Sequence, residues 1–458
     1  MPTRPAQDAH DAFGMNVHFG FQHPQDTNQF VEPTVDLLLQ LGVGRIRQKL
    51  YCDANRSRRA TREGLRRLMA AGVRLCAPTL VIGDVTSLDA ARGRVTSYLD
   101  EIEGNPDVYD LRLIEAMPGL NEPNGGKRVP EDWARLTRIA QQALFEGVRS
   151  RPAFDHVAVQ GPPLARPQVA GGPGRPGLPG LPGRRRTPVF AEALAGHASA
   201  VGDLSGWADR ADVHIYPGDQ DSFNGGPPTV FLDAVRVMYA VDRPITVTEY
   251  GWANTSPDDP DGERYAGGAK SCPESVTARY APKAPLNALL LGYQGAYAYE
   301  MLENQPPYAN DGPAMRQAKF GYVRTLALDP SSWQPKAQFH AMRRFLALFA
   351  DPGLTFEAQP LAASVRADCP DLRALAFQRR TGEHLLALWR TVDLYQCDRK
   401  TNAGRYLEVA PSMVTVTLDR ARPVAVHRPS TQDEPVGSGR HPEFTVDVAD
   451  ELVVLVIG

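Results

Sequence analysis

The chain has 458 residues, with 50 lysines and arginines against 53 aspartates and glutamates, a formal net charge of −3. At about 100–200 residues per domain, that is room for two domains, or for one large barrel with a smaller companion. A hydrophobic share of 42% and a charged share of 22% belong to a globular chain and not to a disordered one. The near-neutral balance argues against nucleic acid as a partner, because phosphate binding wants a clustered positive field. A membrane is excluded in the same way, since no apolar run reaches the ~18 residues of a spanning helix.

From Phe13 to about residue 350 short apolar runs alternate with helical stretches, the pattern of a parallel sheet wrapped by helices. The predicted strands are Gly14–Phe19, Arg45–Leu50, Arg74–Leu80, Leu111–Glu115, His156–Gln160, Asp212–Ile215, Ile245–Glu249 and Gly295–Glu300. Between them the helical period is visible. Val35, Leu38, Leu39 and Leu41 precede the second strand, Leu65, Leu68 and Met69 precede the third, and Leu136, Ile139, Ala140, Ala143 and Leu144 follow the fourth. Eight such units predict a (β/α)₈ TIM barrel over residues 13–350. A doubly wound open sheet is the rival, but it carries a glycine-rich phosphate turn after its first strand. Here that strand runs into His18-Phe19-Gly20-Phe21-Gln22-His23 instead.

Residues 351–458 change character. Leu372–Gln378, His384–Trp389, Met413–Leu418, Val424–His427, Phe444–Val448 and Leu452–Ile457 are short strands without helical period, which predicts a small C-terminal antiparallel β-sandwich domain. Residues 1–12 are candidates to join it. Residues 170–186 place Gly174, Gly177, Gly180 and Gly183 at every third position and end in three arginines. A collagen helix needs many more triplets and three chains, so this is read as a surface insertion after the fifth strand.

Of the five cysteines, Cys52 and Cys76 read as buried thiols, while Cys369 and Cys397 either bridge or stay free. None shows zinc-like spacing, so no metal and no cofactor is expected. Residues 1–14 contain no apolar signal core, which leaves two locations open: inside the cell, or outside it after a signal has been trimmed.

In a TIM barrel the reacting groups come from the C-terminal ends of several strands. Two carboxylates stand at such positions. Glu122 follows strand four in Gly119-Leu120-Asn121-Glu122-Pro123-Asn124, and Glu249 ends strand seven in Thr246-Val247-Thr248-Glu249-Tyr250-Gly251-Trp252. Two opposed carboxyl groups are the minimum machinery for breaking a glycosidic bond: one donates a proton to the leaving oxygen, the other attacks the anomeric carbon or activates water. An ionised carboxylate disfavours ionisation of its neighbour, so the pair can divide these roles near neutral pH. Asn121 is placed to hydrogen-bond a sugar hydroxyl, and Tyr250 either holds the nucleophile by its phenol or packs inward.

Asn121-Glu122-Pro123 and Thr248-Glu249-Tyr250-Gly251 resemble the acid/base and nucleophile motifs of clan A retaining glycoside hydrolases. The stretch Phe320-Gly321-Tyr322-Val323, Gln334-Pro335-Lys336 and Phe339-His340-Ala341-Met342 before the predicted sandwich looks most like family 39 and its relatives. The resemblance implies a double-displacement O-glycosyl hydrolase with Glu122 as acid/base and Glu249 as nucleophile, acting on an oligo- or polysaccharide. It also implies that Arg47 on strand two lies beside the nucleophile, and that His214 and Tyr216 end strand six next to it. No tryptophan of the kind many clan members place after strand eight stands in Leu302-Glu303-Asn304.

His18 after strand one, Glu300 on strand eight and Trp252 are further candidates for sugar contacts; a core histidine, a barrel ion pair and a packed indole are the corresponding structural readings. Two other functions use the same residues: a non-catalytic carbohydrate-binding barrel, and a transglycosylase in which a sugar replaces water. No Gly-x-Ser-x-Gly, Walker or His-Glu-x-x-His motif is present. The acidic run Asp258-Asp259-Pro260-Asp261-Gly262-Glu263 fails the EF-hand pattern and reads as a solvated turn.

Overall fold

The computed structural model describes all residues except 25, 126–128, 166–186, 222–228, 240–241, 255–270, 305–318 and 399–403. The glycine/proline-rich insertion and the acidic run both lie outside the described residues.

Eight parallel strands form the centre, here β1 (Phe13–Val17), β2 (Arg45–Gln48), β3 (Arg74–Cys76), β4 (Ile114–Pro118), β5 (Ala158–Gln160), β6 (Ala211–Ile215), β7 (Ile245–Tyr250) and β8 (Ala296–Ala298). Their order is β5-β4-β3-β2-β1-β8-β7-β6, and a parallel bridge between Gln160 and Arg210 draws the two ends together. This is the expected barrel, with helices on its outside. Each predicted strand is found within a few residues of its place. The third stops at Cys76, short of Leu80, and the fourth is displaced as a whole, because Leu111–Leu113 is a 3₁₀ turn capped by the Asp110 side chain and β4 begins only at Ile114.

The helices follow the apolar period. Val31–Leu41 buries Val35, Leu38 and Leu41 and ends at Gly42, whose φ of 79° is the left-handed cap that glycine adopts without a Cβ penalty. Arg56–Ala70 starts at Asn55 and Leu88–Glu103 at Ser87, both side chains accepting a backbone N–H of the first turn. Trp133–Arg149 buries Leu136, Ala140, Ala143 and Leu144 against the sheet. Inside the barrel, Arg45 and Arg47 on alternate positions of β2 both point inward. Arg45 pairs with Glu115 of β4 at 2.7 Å near the bottom, and Arg47 reaches the mouth. Cys76 is buried in the barrel wall, whereas Cys52 is only half-buried.

Beyond Ala337–Phe349 the chain forms an antiparallel β region. Seven described strands, six from this region and Thr3–Pro5 from the N-terminus, make one sheet, and Tyr395–Cys397 pairs with Gly404–Tyr406 in a separate two-stranded ribbon. Met413–Leu418 and Val424–His427 are two halves of a single strand, Ser412–His427. Its first half pairs with Ala363–Arg366 and its second with Val453–Ile457. The pairing with Gly437–Val448 shifts register between Thr417 and Arg422, at the charged stretch that reads in sequence as a turn. Both faces of the sheet's centre are covered. Along His384–Arg390, Leu385, Ala387 and Trp389 join the barrel core while Leu386 and Leu388 join a second apolar cluster with Val414, Val416, Leu455 and Ile457. Thr3–Pro5 adds a parallel edge strand beside Leu372–Gln378.

Polar anchors tie the β region to the barrel. The Trp389 indole donates to Asn287 at 2.9 Å, and buried Lys283 donates to Asp221 at 2.7 Å and to the carbonyls of Arg390 and Asp450. No disulfide joins Cys369 and Cys397. Among the described residues no helix is long and apolar enough to cross a membrane.

Candidate active site

The two glutamates meet at the C-terminal mouth of the barrel. An oxygen of Glu122, one of Glu249 and a ring nitrogen of His214 all lie within 4.8 Å of one another. Glu249 is nearly enclosed, its side chain 9% exposed, while Glu122 is open to 35%.

Glu249 owes its position to an irregularity in β7. Pairing with β6 steps from Val213–Val247 to His214–Glu249, so β7 carries one extra residue, Thr248. Consecutive residues on a regular strand point to opposite faces, but this bulge lets Thr248 and Glu249 both reach inward. Glu249 Oε1 accepts from Arg47 Nη1 at 2.8 Å, and its Oε2 accepts from the Tyr216 hydroxyl at 2.6 Å. Burial pushes the Glu249 carboxyl up, but the opposing pull of His214, Arg47 and the Tyr216 hydroxyl is stronger and holds it below the usual glutamate range. Arg47 is fixed by two further acceptors, Asn16 Oδ1 at 2.9 Å and Asn121 Oδ1 at 2.5 Å. Asn16 is pinned in turn, its amide donating to the Thr248 carbonyl at 2.9 Å.

Glu122 sits in the turn after β4 with φ of 44°, a left-handed conformation uncommon for a residue with a Cβ. The turn is braced from both sides. The Glu122 N–H donates to the Pro163 carbonyl at 3.2 Å, and Asn124 exchanges hydrogen bonds with the backbone of Ala165. Asn121-Glu122-Pro123-Asn124 is thus clamped to the segment following β5.

His214 of β6 spans the pair. Its Nδ1 lies 2.8 Å from Glu122 Oε1 and 3.5 Å from Glu249 Oε2, and its Nε2 lies 3.1 Å from Thr248 Oγ1. Burial lowers the imidazole's affinity for a proton, but the carboxylates of Glu249 and Glu122 outweigh it, and the net direction is upward. Three potential metal donors are therefore close together. Both Glu249 oxygens, however, are already engaged by Arg47 and Tyr216, and His214 is drawn toward its cationic form. The cluster is organised around protons, and we assign no metal to it.

Tyr216, exposed to 41%, leans its ring edge-on against Tyr299 and Phe320, making an aromatic wall at the mouth. Next to it His18 stacks on Phe21 at 4.6 Å, and its Nε2 lies 3.0 Å from Glu300 Oε2. Burial pushes Glu300 up to about 6 against the pull of His18.

The structure thus brings Asn121, Arg47, His214 and Tyr216 to the two glutamates, with His18 and Glu300 on an adjoining wall. Tyr250 and Trp252 go elsewhere. Both are buried, their rings meet edge-on at 5.7 Å, and the indole donates to the Gln220 carbonyl, so they brace the barrel and offer no face to a sugar. The phenol on Glu249 belongs to Tyr216. Sequence reasoning did not single out Asn16, Asp212, Thr248 or Tyr299. For Asp212 a signal existed, because it shares a strand face with His214 and Tyr216.

No protein-family model and no curated protein matches the sequence. Solved structures do match in fold. A glucosidase from Croceicoccus marinus aligns at 13% identity with a TM-score of 0.57, over 100% of this chain and 96% of its own. A family 51 α-L-arabinofuranosidase from Bifidobacterium longum aligns at 12% identity and 0.52, again over 100% and 96%. A bacterial orthologue of human α-L-iduronidase aligns at 12% identity and 0.53, over 97% and 83%. At this identity the likeness establishes the architecture, a (β/α)₈ barrel with an appended antiparallel β region, shared along nearly the whole chain.

Proposed function

We propose that this chain is a retaining glycosidase that cleaves O-glycosidic bonds of an oligo- or polysaccharide, with Glu122 as acid/base and Glu249 as nucleophile. One observation carries the reading: oxygens of the two glutamates lie within 4.8 Å across the barrel mouth, on β7 and after β4. Retaining enzymes hold their carboxyl groups about 5–5.5 Å apart, whereas inverting ones leave about 6.5–9.5 Å for a water. The similar solved structures include enzymes named as glucosidase, arabinofuranosidase and iduronidase, which supports a carbohydrate substrate.

In this mechanism Glu122, open to solvent and protonated, donates to the glycosidic oxygen as the bond to the anomeric carbon breaks. Glu249, kept ionised by Arg47 and Tyr216, attacks that carbon and forms a glycosyl-enzyme. Glu122, now ionised, takes a proton from the incoming water, which releases the sugar and restores both groups. Asn121, which already accepts from Arg47, can present its amide to the sugar's 2-hydroxyl.

The test is release of aryl leaving groups from a panel of aryl glycosides, and of reducing ends from polysaccharides, by wild type, Glu122→Gln and Glu249→Gln. Loss of about 10²–10⁴-fold in each variant, with azide restoring turnover to Glu122→Gln alone and yielding a glycosyl azide, supports the assignment. Wild-type silence across the panel with sugar still bound favours a carbohydrate-binding barrel. Oligosaccharide build-up in place of free sugar favours transglycosylation.

A further inference from the structure

We propose that Asp212 and Thr248 form a positioning relay that fixes the tautomer of His214, so that the proton for the leaving group is held between His214 Nδ1 and Glu122. The inference rests on the glycosidase reading of Glu122 and goes beyond it, to two residues that touch neither carboxylate.

The argument is donor and acceptor accounting in a buried chain. Thr248 Oγ1 lies 2.7 and 2.8 Å from the two oxygens of Asp212, and Thr248 N–H also donates to Asp212 at 3.2 Å. An ionised carboxylate only accepts, so the single Thr248 hydroxyl proton points to Asp212. The hydroxyl's lone pair then faces His214 Nε2 at 3.1 Å, and Nε2 must carry a proton to use it. That leaves Nδ1, 2.8 Å from Glu122 Oε1, with two states. Either neutral His214 accepts a proton from the Glu122 acid, or imidazolium donates to the Glu122 carboxylate. In both, one proton sits in that hydrogen bond. The tautomer this arrangement disfavours, neutral with the proton on Nδ1, would stabilise Glu122 as a bare carboxylate and leave it unable to act as an acid.

The surroundings agree. Asp212, His214 and Thr248 are all buried. Asp212 is pushed up to about 6 by burial, against His214 and Arg47, so the relay keeps this polarity above that pH. The other titratable groups facing the pair are Glu249 on β7, Arg47 on β2, Tyr216 just after β6 and Tyr299 after β8. Glu249 and Arg47 keep fixed charges and the tyrosines stay neutral across the working range, so above the pH at which Asp212 ionises none of these neighbours changes charge. The bond that forms is from this proton to the glycosidic oxygen, and the electrons of the breaking bond leave with that oxygen. The water that later attacks returns a proton to the same hydrogen bond.

The test is Thr248→Val, which removes the hydroxyl at nearly constant volume, with Thr248→Ser as the conservative partner. Without its acceptor, Nε2 loses the reason to hold the proton and the Nδ1-protonated neutral form gains. The expected result in Thr248→Val is a basic limb of the kcat/KM profile lower by about one pH unit or more. The loss should be about tenfold or more on a phenyl glycoside, which needs the acid, and at most about threefold on a dinitrophenyl glycoside, which does not. Thr248→Ser should restore both. An unchanged limb with equal losses on the two substrates overturns the proposal. A second measurement needs no substrate and stands even if the glycosidase reading fails: ¹⁵N spectra of the wild type above pH 7, with His214 assigned through His214→Gln. The relay requires Nε2 of His214 protonated throughout; a neutral ring with its proton on Nδ1 overturns it.

Discussion

Replacing Arg47 with methionine tests how the nucleophile candidate is kept ionised. Methionine fills much of the same space but removes the charge facing Glu249 and the donors to Asn16 and Asn121. The Arg47 and Glu249 side chains are 7% and 9% exposed, so this is a buried pair and the small values of exposed ion pairs do not apply. Breaking one partner of such a pair costs about 3–5 kcal/mol, because the other charge stays behind in a poor solvent. The sign with pH follows. In the wild type Glu249 lies below its ordinary value, so its contribution is full above the unfolded pKa near 4.3 and fades as pH falls through the folded one. In Arg47→Met burial is opposed only by His214 and the Tyr216 hydroxyl, the carboxyl rises, and the deficit is largest at neutral pH and closes in acid. Urea denaturation at pH 7.5 and pH 4, followed by fluorescence and circular dichroism with coincident transitions, reads both values. Adding Glu249→Gln removes the stranded charge, so the double variant should recover about 1–3 kcal/mol of coupling. A deficit under about 1 kcal/mol that does not vary with pH would refute the reasoning.

Glu300 behaves in the opposite sense. Its raised pKa means the folded chain holds that proton more tightly than the unfolded one, so stability declines from the unfolded value up through about 6. Glu300→Gln should therefore gain at most about 2 kcal/mol over wild type at pH 7.5 and nothing at pH 4, read by the same denaturation. Trp252→Phe should cost about 1–3 kcal/mol through the lost hydrogen bond to Gln220, yet leave KM for an aryl glycoside unchanged, since the indole is packed. A Cβ at Gly251 would meet the Tyr299 carbonyl at 2.4 Å, so Gly251→Ala should push β7 from the segment after β8, costing about 1–3 kcal/mol and lowering kcat. Melting and kinetics on that variant check both.

The barrel was legible because each strand ends a run of apolar residues and each helix repeats every three to four, signals that survive in a single sequence. Glu122 and Glu249 were legible because they stand just where such runs stop. Strand alternation also put His214 and Tyr216 on one face of β6. The same rule fails at β7, where the bulge at Thr248 breaks the alternation, so the contact of Thr248 with His214 is not legible from strand pattern. Trp252 illustrates another limit: an indole beside a motif says nothing of which way it points until Tyr250 and Tyr280 are seen packed on it. Asn16 acts through hydrogen bonds to strands distant in sequence, of which local pattern carries no trace, whereas alternation along β6 marks Asp212 as facing the site without naming its partner Thr248. The long strand Ser412–His427 reads as two in sequence because Asp419-Arg420-Ala421-Arg422-Pro423 interrupts the apolar pattern with charge and a proline, while its backbone pairing continues past a register shift.

The most direct test of the central claim is the configuration of the first-formed product, followed by ¹H NMR during hydrolysis of the aryl glycoside that wild type turns over. Two glutamates this close, acting in sequence through a glycosyl-enzyme, predict that the anomer released first has the configuration of the substrate, before mutarotation mixes the two. Release of the opposite anomer would contradict the account, because it would mean a single displacement by water and no glycosyl-enzyme.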